Sequence, residues 1–324
     1  EGVGNPGEAG VLCAIEMLEG LEKHHLVTPL LLQHQSPRVR ARALRALVSA
    51  RSRSAARWLP TIERMVQDQD VDVRAAALRA LAELAHEDAA VIARRHLADP
   101  ESRVVVTSAI VLADSGDPSD EAAAEAALAR IIDDTQEIAA ADRAEAATAL
   151  AHIENPRFRS LLVPLLHDRD TWVVRTAIRS ARSMGAADGL FVPGLLSLLG
   201  QRVHKAEARE TLIGFGESIV PVLAHVLRDE DEHLWIRRHV PSTLAALGGP
   251  RAMTALVDSL NESDGFLRYK AIRAIEKLRR DDPSLACPRQ VLESAVVRET
   301  SRYYNRLTLR PNFLRPVLDG DGSL

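Results

Sequence analysis

Aromatic residues are scarce: three Trp, three Tyr and five Phe, 3% of 324 residues. A thick globular core leans on such rings. A chain of this length with so few must spread its burial over many thin contacts, which Ala and Leu supply. Cysteine is nearly absent. Cys13 and Cys287 lie far apart in sequence, which argues against a disulfide framework and suits a reducing compartment, hence a cytoplasmic location. No run reaches the ~18 apolar residues of a spanning helix. The longest uncharged run, Gly189 to Gln201, holds a proline and a glycine. There is no H-E-x-x-H, C-x-x-C, G-x-x-x-x-G-K or G-x-S-x-G, and no two of the eleven histidines are four apart. Without those patterns no metal, cofactor or catalytic residue is expected, and the chain does not read as an enzyme.

What is present is a repeat. Asp68 to Leu84, DQDVDVRAAALRALAEL, sets a frame in which Val73, Ala77 and Leu81 line one stripe of a helix. Slid along the chain, the first anchor falls at Val39, Val73, Val105, Asp142, Val173, His204, Ile236 and Leu267. Four residues on stand Ala43, Ala77, Ala109, Ala146, Ala177, Ala208, Val240 and Ala271, seven alanines in eight. The period is about 32 residues, which means stacked helical hairpins. Before each such helix B comes a helix A, often marked by an apolar residue and a proline, as at Pro29, Pro60, Pro164, Pro193 and Pro221. Gly185, Gly216 and Gly248 close the later hairpins.

This unit resembles the short bacterial form of the HEAT repeat over roughly residues 20–280. The resemblance implies an all-α, right-handed α-solenoid of about eight hairpins with terminal capping helices. It also implies a ladder in which a turn acid pairs with a helix-B arginine six residues later. Asp68/Arg74, Glu137/Arg143, Asp231/Arg237 and Glu262/Arg268 fit that spacing, whereas Val106 and Lys205 break it in repeats three and six. HEAT-like hydroxylases that hold iron carry several His-Glu pairs, and His86-Glu87 is the single one here. The last third, IRRHVPSTL from Ile236, LRYKAI from Leu267 and RETSRYY from Arg298, is similar to soluble HEAT regions attached to bacterial membrane proteins of the nucleotide-translocase or major-facilitator type.

Residues 1–10 read as a linker, 11–280 as the solenoid, 281–310 as a basic C-terminal capping helix and 311–324 as an irregular tail. The final helix is expected to stop by Leu309, ahead of Pro311 and Pro316, and the segment reads as cut from a longer protein. Pro241 is expected to interrupt helix B of repeat seven. Charge is uneven. Net charge is −4, yet Gly265–Val317 carries twelve Lys/Arg against five Asp/Glu, which suits an anionic or acidic neighbour or simply complements the acidic body.

Two features stand above background. One residue before each anchor come Arg38, Asp72, Val104, Ala141, Trp172, Val203, Trp235 and Phe266. Equivalent positions form a row on one rim. Trp172, Trp235 and Phe266 are therefore either a docking strip, with Arg237, Arg238, Arg268 and Lys270 beside it, or covers for the turns beneath them. The second feature is the stripe Arg298, Arg302, Arg306 and Arg310, opposite Leu292, Val296, Tyr303 and Leu307. Such a helix suits an anionic membrane surface, an acidic partner or a solvated cap. The leading reading is a non-catalytic protein-interaction or scaffold module. It would bind a protein or a neighbouring domain, as the regulatory region of a larger bacterial, transporter-like protein. The runner-up is nucleic-acid binding, as in HEAT-like alkylation-repair glycosylases, with the overall acidity against it. A HEAT-like bilin lyase is the third reading, and no residue argues for it.

Overall fold

Proline and alanine placement decides where this chain turns and how closely its helices approach. The computed structural model describes residues 6–23, 26–49, 58–84, 86–185, 189–287 and 289–318. Among them every regular element is a helix. In order these are α1 (Pro6–Gly20), α2 (Pro37–Ser49), α3 (Leu59–Met65), α4 (Val71–Leu84), α5 (His86–His96) and α6 (Ser102–Ala113). Then come α7 (Pro118–Asp133), α8 (Ala140–Leu150), α9 (Thr171–Met184), α10 (Val192–Leu198), α11 (Lys205–Gly214) and α12 (Val220–Arg228). The last are α13 (Leu234–Arg237), α14 (Val240–Leu247), α15 (Gly249–Asp258), α16 (Gly265–Asp281) and α17 (Arg289–Leu318). Helix A of repeats one and five is 3-10 instead, at Pro29–Gln33 and at Pro156–Leu162 with Pro164–His167. Pro29, Pro60, Pro164, Pro193 and Pro221 all lie in a first turn, where a missing N–H costs nothing. No single described helix is long and apolar enough to cross a membrane.

The chain divides into two compact units, residues 1–183 and 184–324. In the first, the B helices stack α2 on α4, α4 on α6 and α6 on α8. In the second, α11 packs on α14 and α14 on α16. The residue four past each anchor is buried where these helices pack. Ala43, Ala77, Ala146, Ala177, Ala208, Val240 and Ala271 are each 0% exposed, as are both Ser108 and Ala109 in repeat three. A methyl side chain at that place lets neighbouring backbones come near without leaving a gap, which is why alanine recurs there.

Turn chemistry starts the B helices. Asp68, Asp99, Asp134, Asp168 and Asp229 each accept from the amide two residues on, which fixes the turn locally. At the far end, Gly185, Gly216 and Gly248 all have positive φ. Gly248, at φ 78°, caps α14 in a conformation that side-chain-bearing residues rarely adopt.

Three boundaries differ from the sequence reading. The first helix begins at Pro6 rather than Val11, because Pro6 opens it and Glu8 lies in its first turn, both favoured at a helix start. The last helix does not stop by Leu309 but runs to Leu318 through Pro311 and Pro316, so residues 311–318 are not an irregular tail. Proline's fixed φ is itself helical; each ring forfeits a backbone bond and crowds the carbonyl four residues earlier, and the helix continues through both. Residues 319–324 lie outside the described residues. The third concerns repeat three. Its turn acid is Asp99, one residue before Pro100, so its frame starts at Val104 and not at Val105. Pro241 does break helix B of repeat seven, separating α13 from α14 and leaving His239 at the new start.

Candidate interaction surface

The arginine one past each anchor turns out to be spent inside the fold. Arg40 donates to the His34 and Gln35 carbonyls at 3.0 and 2.9 Å and grips Asp68 with two nitrogens at 3.0 and 2.8 Å. Arg74 reaches the Asp68 and Gln69 carbonyls and the Asp99 carboxylate. Arg143 reaches the Asp134 and Gln136 carbonyls and Asp168. In the second unit, Arg237 holds the Leu227 carbonyl and Glu262, and Arg268 holds the Glu262 and Ser263 carbonyls and Glu299. The spacing of six in Asp68/Arg74 and Glu262/Arg268 thus joins the arginine to the acid's backbone carbonyl. The carboxylate reaches back to the arginine of the preceding repeat. Glu137 and Asp231 make no such bond among the described residues, since Asp134, Gln136 and Leu227 offer carbonyls instead. Arg237 and Arg268 are buried, so they do not belong to the docking strip where the sequence reading put them.

The aromatic side chains one residue before the anchors are exposed in each unit, and one position of that series shifts. Trp172, Trp235 and Phe266 are 55%, 49% and 47% exposed. Val104 is fully buried because the shifted frame of repeat three gives the rim position to Arg103. Arg103 binds both Asp72 and Glu145. In the first unit Trp172 lines a groove of about 830 Å³ with Arg103, Ala141, Glu145 and Arg179. Burial lowers the pKa of Arg79 in a neighbouring groove, and Glu145 and Asp72 act against that. In the Trp172 groove Arg103 is answered by two carboxylates.

The second unit is different. Phe266 is bracketed by the Arg238 guanidinium at 5.1 Å and the Lys270 ammonium at 5.3 Å, and it stacks on Tyr269 with centroids 6.1 Å apart. Arg238 is fixed by two bonds to Asp264, and that hydrogen bond first of all holds the Asp264 carboxyl below its usual range. Trp235 lies against Gly200, where an added Cβ would meet its ring at 2.9 Å, and His239 meets the ring edge-on with centroids 5.3 Å apart. Beside these rings stand Lys205, Arg209, His239 and Lys270, all half-buried. Burial, then Lys205, Arg209 and Lys270, press the His239 pKa down from 6.5 to about 4. Arg209, His239 and Tyr269 escaped the sequence reading. The available signal was Lys205, a base in the ladder position with no turn acid behind it.

On α17 the buried residue is Ala295, while Val296, assigned above to the apolar side, is exposed. The Arg268–Glu299 pair turns the 295–299 face inward and carries Val296 out. Arg298 is half-buried and reaches Asn261, and Arg302 pairs with Glu299. The side chains of Tyr303, Arg306, Leu307 and Arg310 lie outside the described residues.

The family model of HEAT repeats matches residues 26–113 and 192–276. No curated protein matches the chain. Among solved structures, YibA of E. coli aligns at 17% identity and a TM-score of 0.44, covering 86% of this chain and 99% of that one. An engineered protein aligns at 20% identity and a TM-score of 0.35, over 84% and 80%. Human deoxyhypusine hydroxylase in complex with glycerol aligns at 16% identity and a TM-score of 0.30, over 85% and 99%. Those scores are too low to argue from. The repeat model, by contrast, takes in more than half of the residues, and the chain belongs to the HEAT-repeat family, whose stacked helical hairpins make an all-α solenoid.

Proposed function

We propose that this chain is a non-catalytic interaction module that docks a protein segment on its second unit, beside Trp235 and Phe266. The observation that carries the reading is the half-exposed cluster Trp235, Phe266 and Tyr269, with Arg238 and Lys270 already seated on the Phe266 ring. Aromatic side chains held rigid by cations supply contact area without further ordering cost, and such residues dominate binding energy. The resemblance of residues 230–310 to HEAT regions of membrane proteins makes a neighbouring domain of the same chain the first candidate for the partner.

The test has two steps. A photo-reactive phenylalanine at position 266 is cross-linked in cells and the captured segment identified. That segment is then made and its affinity measured for the wild type and for Trp235→Ala/Phe266→Ala. A loss of roughly 10- to 100-fold supports docking here. Unchanged affinity in the double variant rejects it.

A further inference from the structure

In the second unit, three neighbouring helices carry basic side chains near their starts that lie within electrostatic reach of one another. Lys205 opens α11 and Arg209 follows one turn later, His239 precedes α14, and Lys270 lies in the second turn of α16. The helices pack in the order α11, α14, α16, so the side chains come from three successive repeats. Trp235 and Phe266 wall the group on two sides, through His239 and Lys270 respectively. Lys205, Arg209 and Lys270 make no ion pair among the described residues, and the Arg209 Nε and His239 Nε2 atoms are buried with no hydrogen-bond partner. This is an uncompensated cluster, unlike every helix-B arginine of the ladder.

We propose that Lys205, Arg209, His239 and Lys270 form a receptor for one phosphate-monoester dianion. Three fixed cations would be left in excess by a single carboxylate. A dianion with three terminal oxygens offers an acceptor to each of them and to the imidazole. Mutual repulsion agrees with the geometry: burial, then Arg209 and Lys270, lower the pKa of Lys205. A nucleic-acid backbone fits less well. A base-stacking platform needs a free ring face, whereas Phe266 is flanked by Arg238, Lys270 and Tyr269, and Trp235 lies on Gly200. The acidic run Asp229-Glu230-Asp231-Glu232 also lies just ahead of Trp235 in sequence and would repel a polyanion.

The site and the docking surface fail separately. Cross-linking at 266 without phosphate binding removes this inference alone, and the converse removes only the docking.

The probes are inorganic phosphate and a phosphoserine peptide, titrated calorimetrically into the whole chain against chloride at matched ionic strength. Saturable one-site binding is expected, weakened at least about 10-fold in Arg209→Gln/Lys270→Gln. That variant should melt no lower than wild type, because the change relieves repulsion. Should it not fold, Lys205→Gln alone gives the same readout at smaller amplitude. Tighter binding of the peptide assigns the phosphate to a modified partner, and equal affinities assign a free anion. No saturable response, a response unchanged in a folded variant, or an oligonucleotide that binds with a steep salt dependence and is not displaced by phosphate would overturn the proposal.

Discussion

At the scale of single residues, one position past the anchor does the structural work of the ladder. Arg143, almost fully buried, takes two carbonyls of its own turn and the carboxylate of Asp168 in the next. Removing it strands two carbonyls and leaves the largely covered Asp168 carboxylate without its cation. Arg143→Ala should therefore cost about 3–5 kcal/mol in denaturant unfolding, and a cost near that of an exposed ion pair would show the ladder to be ornamental. His239 gives a pH signature. Its folded pKa of about 4 lies below the ordinary 6.5, so between those values the unfolded chain binds a proton that the folded chain does not. Stability should fall as pH drops from 6.5 towards 4 and this contribution should level off below. Lys205, Arg209 and Lys270 are the charges acting on it. His239→Gln should flatten that part of the denaturant-midpoint profile.

At the scale of the helix, the alanine four past the anchor sets the approach of neighbouring repeats. Ala77 has no exposed surface, and Ala77→Leu should destabilise by about 1–3 kcal/mol through overpacking. An unchanged melting temperature would mean that the stacking register is wrong. This register was legible because it needs only periodicity and side-chain size, both written in the sequence. The partnering of charges was not. Asp68 lies six residues before Arg74, but a linear spacing cannot tell whether an arginine takes the acid's carboxylate or its backbone carbonyl. Arg237 and Arg238 look alike in sequence. One step round the helix buries the first and leaves the second beside Phe266. Asp99 was hidden by a one-residue shift at Pro100. The full length of α17 is not legible because Pro311 and Pro316 carry the signature of a stop, although their φ is compatible with a helix.

At the scale of the whole molecule, the ladder is not continuous. Arginine stands at the ladder position in repeats one, two, four, seven and eight, while repeats three, five and six have Val105, Val174 and Lys205 there. The break at repeats five and six spans the place where the chain divides into its two units. Lys205, relieved of a turn acid, joins Arg209, His239 and Lys270 rather than a structural pair. The same departure from the repeat that weakens the ladder thus supplies the unneutralised surface, and the aromatic rim positions of repeats seven and eight border it. On the function proposed above, partners meet the chain on this face of the second unit. Hydrogen–deuterium exchange of the whole chain, with and without the segment captured at position 266, tests it most directly. Slowed exchange is expected at residues 234–240 and 265–271, with the first unit and α17 unchanged. Protection confined to α17 or to the Trp172 groove, with none at those two stretches, would contradict it.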